Sequence, residues 1–460
     1  SIIFNCAVGP MFWNTRIAGE IQPAAITFAS YPFSFWRGDI VFRIVVVASK
    51  FHRGRLLVQW DPLMEGSAAT DINVVASQII DLATNRDMEF VVPYAAQTPF
   101  LNVSSDLTAG YGARIGAIAP IIQIPLKHKH NGSLTITVLN EATGITNTDQ
   151  YLDVQVFVRG GDNFEVAAPR DIGKDISPVT SGITLQSGEL PPEGSKEDFS
   201  PTAVESTVMI ETTDCIEDKM YDVCFGEKIV SFRTLLKRYA YVRNAIFPTG
   251  QPNRVISRFS ALQSRWPLPR GRCTDGIDTF NVTYDGNVAN NCLFTYLQGA
   301  FVGMRGSARW KFNAIHRNTI NDELSVARPR TALSKAGWYQ DTGVITSVSP
   351  ALAMETMIPD FEQCGYTITN QHTQCGMEVE APHYSKLRFI TSSPYATMLG
   401  NARSDTTEDA IQITLTCVEA TSSYDGERQF WSQHFAVGDD FSFFYFLHTP
   451  IFFTYTINIT

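Results

Sequence analysis

Three short segments recur in the same order on either side of a Pro-, Gly- and Ser-rich stretch, which points to folds built from two copies of one unit. Phe33-Ser34-Phe35-Trp36-Arg37-Gly38 is answered by Phe301-Val302-Gly303-Met304-Arg305-Gly306. Met88-Glu89-Phe90-Val91-Val92-Pro93-Tyr94 is answered by Met377-Glu378-Val379-Glu380-Ala381-Pro382-His383-Tyr384, and Gly161-Asp162-Asn163-Phe164 by Gly438-Asp439-Asp440-Phe441. Gly38 and Gly306, Met88 and Met377, and Gly161 and Gly438 lie 268, 289 and 277 residues apart. Each match is short, but shared order and similar spacing argue for a tandem duplication.

Residues 171–212 carry Ser177-Pro178, Ser187-Gly188 and Leu190-Pro191-Pro192 with little apolar periodicity, the composition of a linker. On either side lie β-rich runs, several with period-two alternation: Asp39–Val47, Arg55–Trp60, Ser133–Val138 and Ile411–Cys417. One helix is expected over Gly226–Val242, where Ile229, Phe232, Leu235, Leu236 and Tyr239 share a face. Evenly spaced strands in a unit of this size fit a sandwich or barrel better than a propeller, whose repeat is about 40–50 residues. The expected fold is mainly β: two tandem eight-stranded antiparallel jelly-roll β-sandwiches, over 1–170 and 213–460, joined by the 171–212 linker. The first copy has only 36 residues ahead of Arg37, so its leading strands are expected to be missing or short.

Composition narrows the function. With 36 Lys+Arg against 46 Asp+Glu, the net charge is -10, which excludes a strongly basic nucleic-acid-binding chain. The charged fraction is 18%, below the roughly 25% usual for soluble domains, and 30 residues are Phe. So little charge on so apolar a chain suggests an exterior largely covered by partner subunits. No window has the 18 or so uninterrupted apolar residues of a membrane helix, so no membrane span is expected. Eight cysteines without a CxxC pair suggest buried thiols in a reducing compartment rather than a disulfide scaffold. The sequons at Asn102, Asn131, Asn281 and Asn458 read as chance matches, and the start without Met reads as a processed product or fragment.

These residues also carry a resemblance. Phe35-Trp36-Arg37-Gly38-Asp39-Ile40, then His52-Arg53-Gly54-Arg55-Leu56-Leu57-Val58 and Trp60-Asp61-Pro62, resembles the capsid jelly rolls of picorna-like viruses. The second half, through Gly226–Arg238 and Gly438-Asp439-Asp440-Phe441, is similar to the cricket-paralysis-type capsid domain of dicistroviruses and marnaviruses. The resemblance implies jelly rolls of viral capsid type and a structural, non-enzymatic protein cut from a polyprotein. It implies assembly in the host cytoplasm into an icosahedral virion enclosing the RNA genome. The implied partners are other capsid subunits, viral RNA, a host cell receptor and the viral protease, with no cofactor. The alternative is a carbohydrate-binding or hydrolytic β-sandwich, which needs several aromatics beside paired carboxylates in a groove.

Candidate sites follow. Gln186-Ser187, in Thr184-Leu185-Gln186-Ser187-Gly188, matches what the chymotrypsin-like cysteine proteases of such viruses cut, though Gln-Ser is common by chance. Asp439-Asp440-Phe441 resembles a motif proposed to assist capsid-precursor cleavage: adjacent carboxylates can raise one another's pKa, leaving one protonated. The competing reading is a turn opening the last strand, as at Gly161-Asp162-Asn163. Lys228, Arg233, Lys237 and Arg238 are candidates for RNA phosphate contact, against a solvated or inter-subunit face. Cys364, His372, Cys375 and His383 lack a zinc knuckle, so no metal is expected. His128-Lys129-His130 and Gly110–Gly116 read as loops, and Arg37-Gly38-Asp39 as structural.

Overall fold

A computed structural model of the 460-residue chain describes residues 2–14, 20–49, 51–62, 75–103, 129–144, 152–172, 176–177, 220–247, 256–267, 269–272, 278–281, 284–287, 289–314, 322–327, 337–339, 365–370, 374, 376–384, 387–392, 410–418 and 429–454. Antiparallel strands dominate, with short helices such as Ala25–Ser30 and Leu293–Gln298 between them. The chain divides into two compact units, 1–170 with 184–230, and 171–183 with 231–460.

In the first unit, strand Ile40–Val47 lies between Asp153–Gly160 and Asp87–Val92. Period-two alternation turns Ile40, Phe42, Ile44 and Val46 inward, all 3% exposed or less, while Arg43 and Val47 face out. Ile40, Phe42 and Ile44 oppose Val92, Phe90 and Met88, so one face carries a row of apolar cross-strand pairs. Fully burying each such side chain stabilises by about 1.5–3 kcal/mol. The other sheet runs Ile2–Ala7, Ser133–Thr143, Arg53–Asp61, Ala76–Asp81, with Leu134, Ile136 and Val58 fully buried.

The second unit has corresponding sheets. One runs Ala240–Phe247, Gln429–Val437, Ala308–Ala314, Gly376–Ala381. The other runs Gly337–Tyr339, Ile256–Ser264, Ala410–Val418, Asp322–Ala327, Tyr366–Asn370. The pairing registers coincide under the sequence offsets. Ile40 opposes Val92 and Gly160 as Ala308 opposes Ala381 and Val437. Arg37 opposes Glu165 as Arg305 opposes Ser442, and Trp36 opposes Leu101 as Met304 opposes Ile390.

The four strands expected from alternation are present, each reaching a residue or more past the run that announced it or, for Asp39–Val47, starting one residue later. The helix expected over Gly226–Val242 is not one helix. Only Phe232–Leu236 is helical, with the Ser231 hydroxyl accepting the Arg233 amide at 3.2 Å, and Ala240–Phe247 is a strand. Antiparallel pairing with Gln429–Val437 recruits Ala240–Phe247, a non-local interaction that helical spacing does not encode. Residues 184–230 belong with the first unit. There Phe225 packs on Phe35 and Phe100, with ring centroids 5.3 and 4.8 Å away. Among the described cysteines, Cys6 and Cys292 are buried free thiols and Cys224 is exposed. Burial pushes the Cys6 and Cys292 thiols up.

Candidate functional site

Strand Phe301–Arg305 stops at Gly306, whose φ of +127° few residues other than glycine adopt. A Cβ there would lie 2.3 Å from the Phe441 Cα, so the glycine lets the 438–441 turn pack directly against the bend. The Gly438 amide donates to the Ser307 carbonyl at 2.8 Å, and the Phe441 amide to the Gly438 carbonyl at 3.3 Å. The Asp440 Oδ1 accepts from the Ser307 amide at 2.8 Å and the Ser307 hydroxyl at 2.5 Å.

The first unit repeats this arrangement. Gly38 has φ +105°, and a Cβ would lie 2.3 Å from the Asn163 carbonyl oxygen. The Gly161 amide donates to the Asp39 carbonyl at 2.7 Å, and the Asp39 amide donates to the Asn163 Oδ1 at 2.9 Å. Asn163 therefore does with an amide what Asp440 does with a carboxylate. Phe164 stacks on fully buried Trp36 at 6.0 Å, while Phe441, 1% exposed, packs against Trp266 and Phe294 at 5.5 and 5.8 Å. Arg37 is buried against the Phe100 ring and the Asp39 carboxylate accepts the Tyr94 amide at 2.9 Å, so the Arg-Gly-Asp tripeptide is turned inward.

Asp439 and Asp440 are both exposed but have different partners. Asp439 bridges Lys237 at 2.7 Å and Arg309 at 3.1 Å, while its carbonyl accepts from Arg233 at 3.2 Å. Arg309 also pairs with Glu380 at 3.1 Å. Lys237 and Arg309 hold the Asp439 carboxyl below the ordinary carboxylate range. Burial pushes Asp440 up, but the Ser307 hydroxyl and amide outweigh it and hold it low as well. The two carboxylates thus have separate partners, Lys237 and Arg309 for Asp439 and Ser307 for Asp440.

Of the four cations singled out in the sequence, Arg233 and Lys237 meet at the Asp439 turn. Lys228 pairs with Glu165 at 3.0 Å in the first unit, and Arg238 follows the short helix, its amide donating to the Leu235 carbonyl at 3.0 Å. Sequence reasoning missed Arg265, 0% exposed, whose guanidinium donates to the Gly306 and Pro382 carbonyls at 3.2 and 3.1 Å and meets His383 Nδ1 at 2.9 Å. Ser307 was also missed, although its place directly after Arg305-Gly306 matches Asp39 after Arg37-Gly38. Gln186, Ser187, His128, Cys364, His372, Cys375 and Gly110–Gly116 lie outside the described residues. Among the described residues no cluster of His, Cys, Asp or Glu could hold a metal, and no helix is long and apolar enough to cross a membrane. A cleft of about 450 Å³ is lined by Lys311, Asn313, Ile368, Gln374 and Glu378, among others, and by no aromatic residue.

Residues 217–457 match the model of the CRPV capsid protein-like family, and residues 25–122 that of picornavirus capsid proteins. The chain is 22% identical to the structural polyprotein of Cricket paralysis virus over 95% of its length, covering 51% of that polyprotein. It is 27% identical to the genome polyprotein of Deformed wing virus over 34% of the chain and 5% of that protein. The chain thus spans about half of one relative and a small part of the other. Among solved structures, that of a marine algae virus of the order Picornavirales aligns with 23% identity and a TM-score of 0.45, over 55% of this chain and 95% of that one. With a family match running from 217 to 457, more than half of its 460 residues, the chain belongs to the CRPV capsid protein-like family and is a structural capsid protein of a picorna-like virus.

Proposed function

We propose that the chain is two tandem capsid jelly rolls of a virion polyprotein, which assemble with other capsid subunits into an icosahedral shell around a positive-strand RNA genome. The observation that carries this reading is the coincidence of pairing registers between the units, together with the family matches to both. Exposed apolar side chains such as Phe157, Tyr445, Phe446 and Leu447 supply surface for subunit contacts. Exposed loops contact the host receptor, and assembly takes place in the host cytoplasm. RNA is enclosed without sequence readout: net charge is -10, and Lys228, Arg233 and Lys237 are engaged with acidic or carbonyl partners, leaving neutralisation mainly to counter-cations. The viral protease cuts at Gln186-Ser187, within the 171–212 linker. Asp439-Asp440-Phe441 serves this assembly as a structural corner, in keeping with the matching turn at Gly161–Phe164. The carbohydrate-binding reading is less favoured, because both family matches are to capsid proteins.

The test is size-exclusion chromatography with negative-stain microscopy and intact mass, on the chain alone and with upstream capsid segments and the viral protease. Shells or pentamer-like rings and a mass break at the 186–187 bond are expected. A monomer that stays uncut in every combination overturns the proposal.

A further inference from the structure

We propose that His434 makes the central strand pairing of the second unit acid-sensitive, so that acidification loosens this unit and leaves the first unchanged. The site is a cross-strand row on the outward face of the sheet: Tyr241 opposes His434, His434 opposes Lys311, and Lys311 opposes Glu378. The imidazole centre lies 5.6 Å from that of the Tyr241 ring, and its Nδ1 is buried with no hydrogen-bond partner among the described residues. The Lys311 ammonium bonds Glu378 at 2.9 Å and lies 5.8 Å from the Tyr239 ring centre.

With His434 neutral, the row carries one cation and one carboxylate. Protonation changes two things. Both ring nitrogens become donors, which leaves a buried proton on Nδ1 without an acceptor. A second cation also comes to stand directly opposite Lys311, where like charges destabilise a strand pair. The carboxylates described on this face are already engaged: Glu378 by Lys311, Glu380 by Arg309, and Asp439 by Lys237 and Arg309. Arg243, on the strand that carries Tyr241, donates from Nε to buried Gln433 on the opposite face at 3.3 Å. Burial and the Lys311 charge hold the His434 imidazole below its ordinary range. Its contribution to stability is therefore fully present above the unfolded value of about 6.5, and is lost as pH falls below it through the lower folded value.

The first unit supplies the contrast. Under the offsets of 277, 268 and 289 residues, His434, Lys311 and Glu378 correspond to Phe157, Arg43 and Glu89, and the same row recurs, with Phe157 opposite Arg43 and Arg43 opposite Glu89. A phenyl ring stands where the second unit has an imidazole, so this position gains no charge on acidification.

Amide hydrogen exchange of the 460-residue chain, read as protection factors at about pH 7.5 and about pH 5.5, tests this. Protection over Gln429–Val437 and Ala308–Ala314 should fall about 2- to 5-fold at the lower pH, while that over Asp153–Gly160 and Ile40–Val47 should hold. His434→Phe, which copies the first unit, should remove the fall. His434→Gln, with a smaller uncharged side chain, should do the same, and keeps the test open where the phenyl ring disturbs folding. No fall in the parent chain, an equal fall in both units, or a fall that persists in the folded His434 variants overturns the proposal.

Discussion

Gly306 and Gly38 are the residues on which the two bends depend, because each has a positive φ and faces backbone where a methyl group would stand. Gly306→Ala is expected to cost about 3 kcal/mol or more, from left-handed strain together with the clash on Phe441, and Gly38→Ala a similar amount. Chemical denaturation of each variant measures this, and equal costs would reflect the shared geometry. Asp440 admits a sharper comparison, because Asn163 holds the equivalent position with an amide. Asp440→Asn should keep the Ser307 bond and stay within about 0.5 kcal/mol of the parent at pH 7, whereas Asp440→Ala should lose about 1 kcal/mol. The Asp439 and Asp440 carboxyls are held below the ordinary carboxylate range. Their contribution is therefore fully present above the unfolded-state value near 4 and fades as pH falls through the lower folded values. Asp440→Asn should accordingly flatten the acid limb of a stability-versus-pH curve, and an unaltered limb would count against this account.

At the scale of elements, Asp439-Asp440-Phe441 divides its labour. Phe441 is the core anchor, within 6 Å of the Trp266, Phe294 and Phe443 ring centres. Phe441→Ala should cost about 3–5 kcal/mol, while Asp439→Ala, at an exposed ion cluster, should leave thermal stability nearly unchanged. Melting of the two variants separates the roles, and a large loss from Asp439→Ala would show that the cluster acts beyond surface screening. Element type was legible wherever alternation was strict, as in Ile40–Val47 and Ala410–Val418. It was not legible over 226–242, where apolar spacing suggests a helix yet Ala240–Phe247 pairs with a strand almost 200 residues away. A helix of five residues gains little cooperativity of its own, so tertiary pairing decided the outcome.

For the whole molecule, supplying the viral protease should split the chain at the 186–187 bond. Gln186→Ala should abolish the break without changing the fold, with intact mass and circular dichroism as the paired readouts. A break elsewhere in 171–212 would move the site but keep the processing reading. By itself the sequence determined the repeat, its anchors, the β class and the resemblance to viral capsids, because glycine conformation, strand alternation and the order of short motifs are local properties of the chain. Only the tertiary structure decided that Ser307 is held by Asp440, that buried Arg265 joins the Gly306 bend to His383, and that Asp439 is ion-paired rather than paired with its neighbour. These are contacts between residues up to more than 200 positions apart, set by strand register and packing, and no local pattern encodes them.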